Sequence, residues 1–215
     1  CRARPMIVSD CELLYHLSIQ SAGRWAVGGR ATDRRGRLGG EPVIADDRYI
    51  VISSDCHGGA AIPAYRPYLA AEFRDDFDAW SADYVIAYDD LVGVDADRNW
   101  NSERRLRELE DDGIVAEVIF PNTIPPFFPR SSLTFQPPAG DVRDRDRRWA
   151  GLQAHNRWLA DFCAAVPGRR AGVAQIMLHD IEAAVAEVRW AHAAGLTGGV
   201  LLPGVPPGSG LPELY

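Results

Sequence analysis

Short apolar runs alternate along this chain with segments whose apolar residues recur at helical spacing. The first run, at 49–52, is β-branched and aromatic with no polar alternation, which predicts a strand buried on both faces. Similar runs predict strands at 114–120, 171–178 and 199–202. Strands that alternate with helices in this way are typical of a parallel sheet covered by helices, and therefore of the α/β class.

The boundaries of the helices are predicted from capping residues. Ser102 is the expected N-cap of one helix, and Gly113 is expected just past its end. Asp180 is expected to cap the last helix, which Gly195 ends. Four helices are predicted in this way. The first begins near Pro67, and the others span 103–112, 144–166 and Ile181 to Gly195.

The N-terminal segment does not show either pattern. Residues 24–40 string arginine and glycine together with few apolar side chains, so they cannot bury enough surface to offset the entropy lost on ordering. We expect residues 1–45 to be a disordered leader, or a non-native segment upstream of the true start, followed by one domain over 46–215.

Charge and composition exclude several function classes. The net charge of −7 and the pI near 5.2 argue against a nucleic-acid-binding surface. No apolar run reaches the roughly 18 residues of a membrane span, so we expect no membrane partner. The four cysteines show no CxxC spacing, which favours free thiols in a reducing compartment and a cytoplasmic protein. The basic residues are all arginines, which excludes Schiff-base and P-loop lysines within this sequence.

The candidate chemistry begins where the first strand ends. Side chains two apart on a strand share a face, so Asp55 and His57 should point the same way and Cys56 the other way. A carboxylate oxygen and an imidazole nitrogen could then reach one cation. Ligands of parallel α/β folds bind at the carboxyl ends of strands, which supports a metal site, although a turn carboxylate beside a surface histidine is the more ordinary alternative.

Three further residues could line a substrate pocket. His179 follows a predicted strand and could face the site, although a solvated histidine in front of a helix is the alternative. Asn122 and Phe127 follow another strand and could wall the pocket, or could belong to a proline-rich loop that caps the core. His155 falls within a helix, where packing or a surface position is the more ordinary role.

Several separated stretches, in the right order, resemble the amidohydrolase-related family of metal-dependent TIM-barrel enzymes. The branch they resemble includes aminocarboxymuconate semialdehyde decarboxylase and γ-resorcylate decarboxylase. The resemblance covers roughly residues 46–204. The stretches are YIVISSDCHGG, YRPYL, NWNSERRLRELEDDGIVAEVIFPN, NRWLADF and AGVAQIMLHDIEAAVAEVRWAHAAGLTGGVLLP.

The resemblance implies an acid-x-His pair that binds Zn²⁺ or Mn²⁺, and the match transfers this role to Asp55 and His57. The family's other ligands, a histidine after the fifth strand and an aspartate after the eighth, have no counterpart here. Its catalytic histidine after the sixth strand is also missing. Four predicted strands, in a fold that typically needs about 250 residues, indicate an incomplete (β/α)8 TIM barrel containing the first four βα units.

We therefore expect a metal-dependent hydrolase that acts on a small organic acid, ester, lactone or amide. One alternative is a nonoxidative decarboxylase of an aromatic or unsaturated carboxylic acid on the same scaffold, and another is a catalytically inactive fragment. Because two ligands cannot hold an ion well, the chain alone is expected to bind metal poorly and to be inactive. The catalytic residues are unknown, and assembly as a homo-oligomer is left open.

Overall fold

The chain folds into an α/β structure built on a parallel sheet. The computed structural model describes residues 5–8, as backbone only, and residues 49–84, 93–121, 125–128 and 141–202. None of the helices within these ranges is long and apolar enough to cross a membrane. The strands are β1 (Pro5–Val8), β2 (Ile50–Gly58), β3 (Ile114–Pro121), β4 (Arg170–Gln175) and β5 (Gly199–Leu201), and the α-helices are α1 (Arg74–Ala82), α2 (Ser102–Asp111), α3 (Val142–Ala164) and α4 (Ile181–Ala193).

The strands follow one another across the sheet in chain order, β1 to β5, and every neighbouring pair is parallel. Each crossover from β2 to β5 therefore moves one strand in the same direction. Because such crossovers are right-handed, their helices fall on one face of the sheet. Contacts from α2 to Glu117 and from α3 to Gly172 both reach that face, which we call the helix face.

The beginning of β2 differs from the prediction. A strand buried on both faces was expected at 49–52, but Tyr49 is 70% exposed and Ile50 is 39% exposed. The physical reason is that the described helices cover one face of the sheet only. The prediction was wrong here because an uninterrupted apolar run does not reveal how many layers will pack on it.

A short strand also lies within the segment expected to be a disordered leader. Pro5–Val8 pairs in parallel with β2, from Pro5 beside Ile50 to Val8 beside Ser53. The sequence PMIV suits an edge strand, since it is apolar and its proline needs no partner at the strand's first position. The structure therefore describes a strand at these four residues, and residues 9–45 lie outside the described part of the chain, so the expected leader stays a prediction.

Most helix boundaries follow the predicted capping pattern. Gly113 and Gly195 have φ values of 73° and 87°, as expected for residues that end α2 and α4. Asp180 caps α4 by accepting a hydrogen bond from the backbone N–H of Ala183. The cap of α2 is Asn101 and not Ser102, because the Asn101 side chain accepts from the backbone N–H of the third residue of the helix.

The longest helix, α3, packs against the helix face and forms the centre of the core. At Gly172 of β4 an added Cβ would lie 2.9 Å from the Leu159 side chain and 2.8 Å from that of Leu196, so a larger residue would not fit. Near the middle of α3, His155 is fully buried and shares a hydrogen bond of 2.9 Å with the Tyr65 hydroxyl. His155 is therefore a packing residue, which is one of the two roles expected for a histidine within a helix.

The segment Pro125–Phe128 also lies on α3. Gly151 makes this possible, since a Cβ added there would be 2.1 Å from the carbonyl oxygen of Pro126. Phe127 adopts φ 71° and packs its ring against Phe77 and Trp80, with ring centroids 6.1 Å and 5.7 Å apart. A glycine inside the helix thus sets the path of the loop beyond β3.

We predict that Gly151→Ala destabilises the protein by about 1–3 kcal/mol, the usual cost of overpacking. The sign of the change in stability is informative, because a glycine-to-alanine substitution at an open helical position stabilises a protein by about 0.5–1 kcal/mol. Urea unfolding measures the difference. Ala164→Gly, at the exposed end of the same helix, reports helix propensity alone, and an increase in stability for Gly151→Ala would contradict the close contact with Pro126.

We also predict a pH dependence that comes from His155. Burial lowers its pKa to about 3, so the folded protein keeps the imidazole neutral while the unfolded chain binds a proton below its ordinary pKa of about 6.5. Stability is thus fully present above pH 6.5 and is lost as the pH falls towards 3, by about 1.4 kcal/mol per pH unit. Urea unfolding of wild type and His155→Gln between pH 7 and 4.5 should show this extra slope in wild type only. Parallel pH profiles would contradict it.

Candidate metal centre

The carboxyl end of β2 contains an irregularity next to the candidate ligands. Ser53 pairs with Glu117 and Cys56 pairs with Ile119, so three steps along β2 match two steps along β3. The extra residue is a β-bulge, and Asp55 lies within it. The simple rule that side chains two apart share a face therefore does not apply across this part of β2.

The regular alternation resumes at Cys56 and His57. The Cys56 thiol lies 2.9 Å from the Ser53 hydroxyl, and both residues pair with positions of β3 that face the helices. His57 pairs with Phe120, and their ring centroids are 6.1 Å apart. His57 therefore lies on the open face, opposite the helices, and Cys56 points away from it as the sequence predicts.

His57 is exposed to solvent on the open face, whereas Asp55 is half-buried. None of the described residues forms an ion pair or a hydrogen bond with either side chain. A carboxylate and an imidazole without such a partner among the described residues suit a divalent ion such as Zn²⁺ or Mn²⁺ as part of its ligand set. Within the described ranges, no three His, Cys, Asp or Glu side chains come close enough together to hold a metal ion.

The chain that follows β2 is held by backbone contacts. Gly58 is buried and packs against Ile119, which an added Cβ would approach to 2.9 Å. The backbone N–H of Gly59 donates to the carbonyl of Asn99 at 3.2 Å, and that of Ala60 donates to the Tyr65 hydroxyl at 3.0 Å. Gly58 thus allows a close approach of the β2 end to Ile119.

A buried ionic cluster lies on the helix face of the sheet, where Glu117 of β3 is paired with Ser53 of β2 and Arg170 of β4. The carboxylate of Glu117 is completely buried and forms ion pairs with Arg105, at 2.7 Å, and with Arg170, at 3.3 Å. Arg170 also donates to the Phe162 carbonyl and lies over the Phe162 ring. Burial lowers the pKa of Arg170 and the charge of Glu117 opposes this, which favours the charged guanidinium.

His179 lies in the turn before α4, beyond the end of β4 at Gln175, and not directly after a strand as the sequence predicted. Its ring packs on Trp149 of α3, with centroids 5.0 Å apart. Partial burial lowers the pKa of His179, and the nearby carboxylates of Asp180 and Asp146 act in the opposite direction. The ring of His179 therefore packs against a helix, whereas the ring of His57 lies beside Phe120 on the open face of the sheet.

Phe127 is buried in the core and lines a cleft of about 310 Å³ between α1 and α3. The cleft does not include the candidate ligands. Its other lining residues are Asp76, Ala79, Trp80, Asp144 and Arg147. Asn122, the remaining pocket candidate, lies outside the described residues, so its role as a pocket residue stays a prediction.

Arg105 and Glu117 were not predicted from the sequence as functional residues. Glu117 was visible as the one charge within the apolar run of β3, where an ionised side chain is unexpected unless it is paired. Arg105 gave no such signal, because it is one of several arginines on a charged helix. The partner of a buried charge depends on which helix crosses it, and this is a property of the tertiary structure.

Comparison with models of known protein families found no match, and comparison with curated proteins found none either.

Proposed function

We propose that this chain provides the metal-binding end of a metal-dependent hydrolase of the amidohydrolase-related type, acting on a small organic acid, ester, lactone or amide. The observation that carries the proposal is the position of the acid-x-His pair. Asp55 and His57 lie at the carboxyl end of a parallel strand, where parallel α/β folds bind their ligands.

The order of the strands supports the barrel part of the proposal. A doubly wound sheet reverses its strand order at the binding crevice, whereas β2 to β5 continue in one direction without a reversal. A sheet wound in one direction, with its helices on one face, is what half of a (β/α)8 barrel requires. We propose that these are its first four βα units, and that the open face is the interior of the barrel.

Each side chain has a distinct part in the proposed site. The carboxylate of Asp55 would neutralise charge on the ion, and the imidazole of His57 would set its position. The ion, when bound, would polarise a substrate carbonyl or lower the pKa of bound water towards about 7. Phe120 presents an aromatic ring beside His57 and would form an apolar wall for the substrate. No described residue is assigned the proton transfer.

We predict that the isolated chain binds Zn²⁺ and Mn²⁺ weakly, because two protein ligands are fewer than the three or more of a typical catalytic site. Isothermal titration calorimetry should show a weak, saturable heat that Asp55→Asn and His57→Gln each abolish. His192→Gln, which removes an exposed histidine of α4, is the matched control and should bind as wild type does.

Two results would count against the proposal. Binding that survives both substitutions would place the ion elsewhere. Tight stoichiometric binding to the isolated chain would mean that its ligand set is already complete. With a complementing second half of the barrel, hydrolysis of a lactone or ester would support the hydrolase, and release of CO₂ from an aromatic acid would support the decarboxylase instead.

A further inference from the structure

The backbone of His57 accepts a hydrogen bond from a side chain on the helix face of the sheet. Nη1 of Arg105, on α2, donates a hydrogen bond of 2.8 Å to the carbonyl oxygen of His57. The same nitrogen donates to the carbonyl of Arg98 at 3.1 Å, in the segment that also accepts the Gly59 N–H through Asn99. One guanidinium therefore ties the end of β2 to the chain leading into α2.

Arg105 is itself held in place by Glu117. Its Nε lies 2.8 Å from both carboxylate oxygens of Glu117, and its Nη2 lies 2.7 Å from one of them. Glu117 has no exposed surface and is also paired with Arg170, whose side chain is fully buried. Arg105 could turn away from His57 only by giving up this bidentate contact with a desolvated carboxylate, which makes its position well defined.

The β-bulge explains why the hydrogen bond from Arg105 to the His57 carbonyl is needed. Between Ser53 and Cys56 the pairing of β2 with β3 is out of step, so only the three pairs from Cys56 to Gly58 connect the end of the strand to β3 beyond the bulge. A side chain that must point at an ion depends on the orientation of its own backbone. Contacts of this kind, one step removed from the ligand, commonly change metal affinity by about 10–100-fold.

We propose that Arg105, held by Glu117, is a positioning residue for the metal site. It sets the backbone of His57 and thereby aims the imidazole on the open face of the sheet. The inference rests on the proposed function, since it assumes that His57 is a metal ligand. Arginine is required because its planar fork of donors serves a carboxylate and two carbonyls at once, which the single ammonium of lysine cannot do.

The test compares Arg105→Lys with Arg104→Lys. Arg104 is the adjacent residue of α2 and forms ion pairs of its own, with Asp95, Asp97 and Glu108, but none of its contacts reaches β2. Both substitutions keep the positive charge. Glu117→Gln is a third variant, which leaves Arg105 in place but weakens its anchor. Urea unfolding of each variant measures the loss of global stability.

The first readout needs no metal. In hydrogen exchange followed by NMR, the Gly59 amide should exchange about tenfold faster in Arg105→Lys, because a charge-assisted contact that holds its neighbourhood is lost. The Val173 amide, in the middle of β4, is the internal reference and should change only as global stability changes. Arg104→Lys should leave the ratio of the two exchange rates as it is in wild type.

The second readout is paramagnetic broadening by Mn²⁺ of the His57 ring signals, assigned with His57→Gln and reversed with EDTA. Broadening suits a weak site because it does not require saturation. Arg105→Lys should need about 10-fold more Mn²⁺ for equal broadening, and Glu117→Gln should also need more Mn²⁺ than wild type. Arg104→Lys should match wild type.

The outcomes separate the two proposals. Equal broadening in Arg105→Lys and wild type overturns the positioning role while leaving the metal site intact. Equal losses in Arg105→Lys and Arg104→Lys also overturn it, since the effect would then follow general changes in α2. Absence of broadening at His57 in wild type overturns the proposed metal site itself.

Discussion

The structure depends on how one buried carboxylate is neutralised. Glu117 lies under the sheet without solvent contact, and a charge in that environment is tolerated only when it is paired and hydrogen-bonded. Arg105 arrives from α2 and Arg170 from β4, so the ionic cluster joins two strands and a helix. Removing one member of such a group typically costs about 3–5 kcal/mol, because the remaining charge stays buried.

A second buried carboxylate repeats the arrangement further along the sheet. Glu187 of α4 is paired with Arg157 and accepts a hydrogen bond from Asn156, both on α3. The Asn156 side chain also forms two hydrogen bonds with the backbone of Gln175, at the end of β4. Its oxygen accepts from the Gln175 N–H, and its NH₂ group donates to the Gln175 carbonyl. Polar contacts from the helix layer thus hold the carboxyl ends of β2 and β4, while apolar packing fills the space between helices and sheet.

The sheet has two unequal faces. The helix face contains the ionic cluster and the main core. On the open face His57, Phe120, Val118 and Ala171 have intermediate or greater exposure, whereas Val173 of β4 is buried. Chemistry at the end of β2 would therefore take place on the open face, while the contacts that orient it lie on the helix face. This division lets a strand end be rigid and remain accessible on the opposite side.

The α/β alternation, the order of the elements from β2 to β5 and several of their ends could be predicted from the sequence. Those features depend on neighbours in the chain, as when Gly113 adopts positive φ or Asp180 caps the helix that follows it. Periodicity and capping are local, so a single sequence reveals them. The Asp-x-His pair and its place at a strand end were predicted in the same way.

Only the tertiary structure decided the rest. The bulge at Asp55 arises from the register of β2 against β3, which are far apart in the chain. Arg105 pairs with Glu117 and donates a hydrogen bond to the His57 carbonyl. Both contacts require that α2 cross the sheet at one particular place. One arginine among many looks the same in a sequence, and its role depends on which buried charge and which backbone carbonyl lie within its reach.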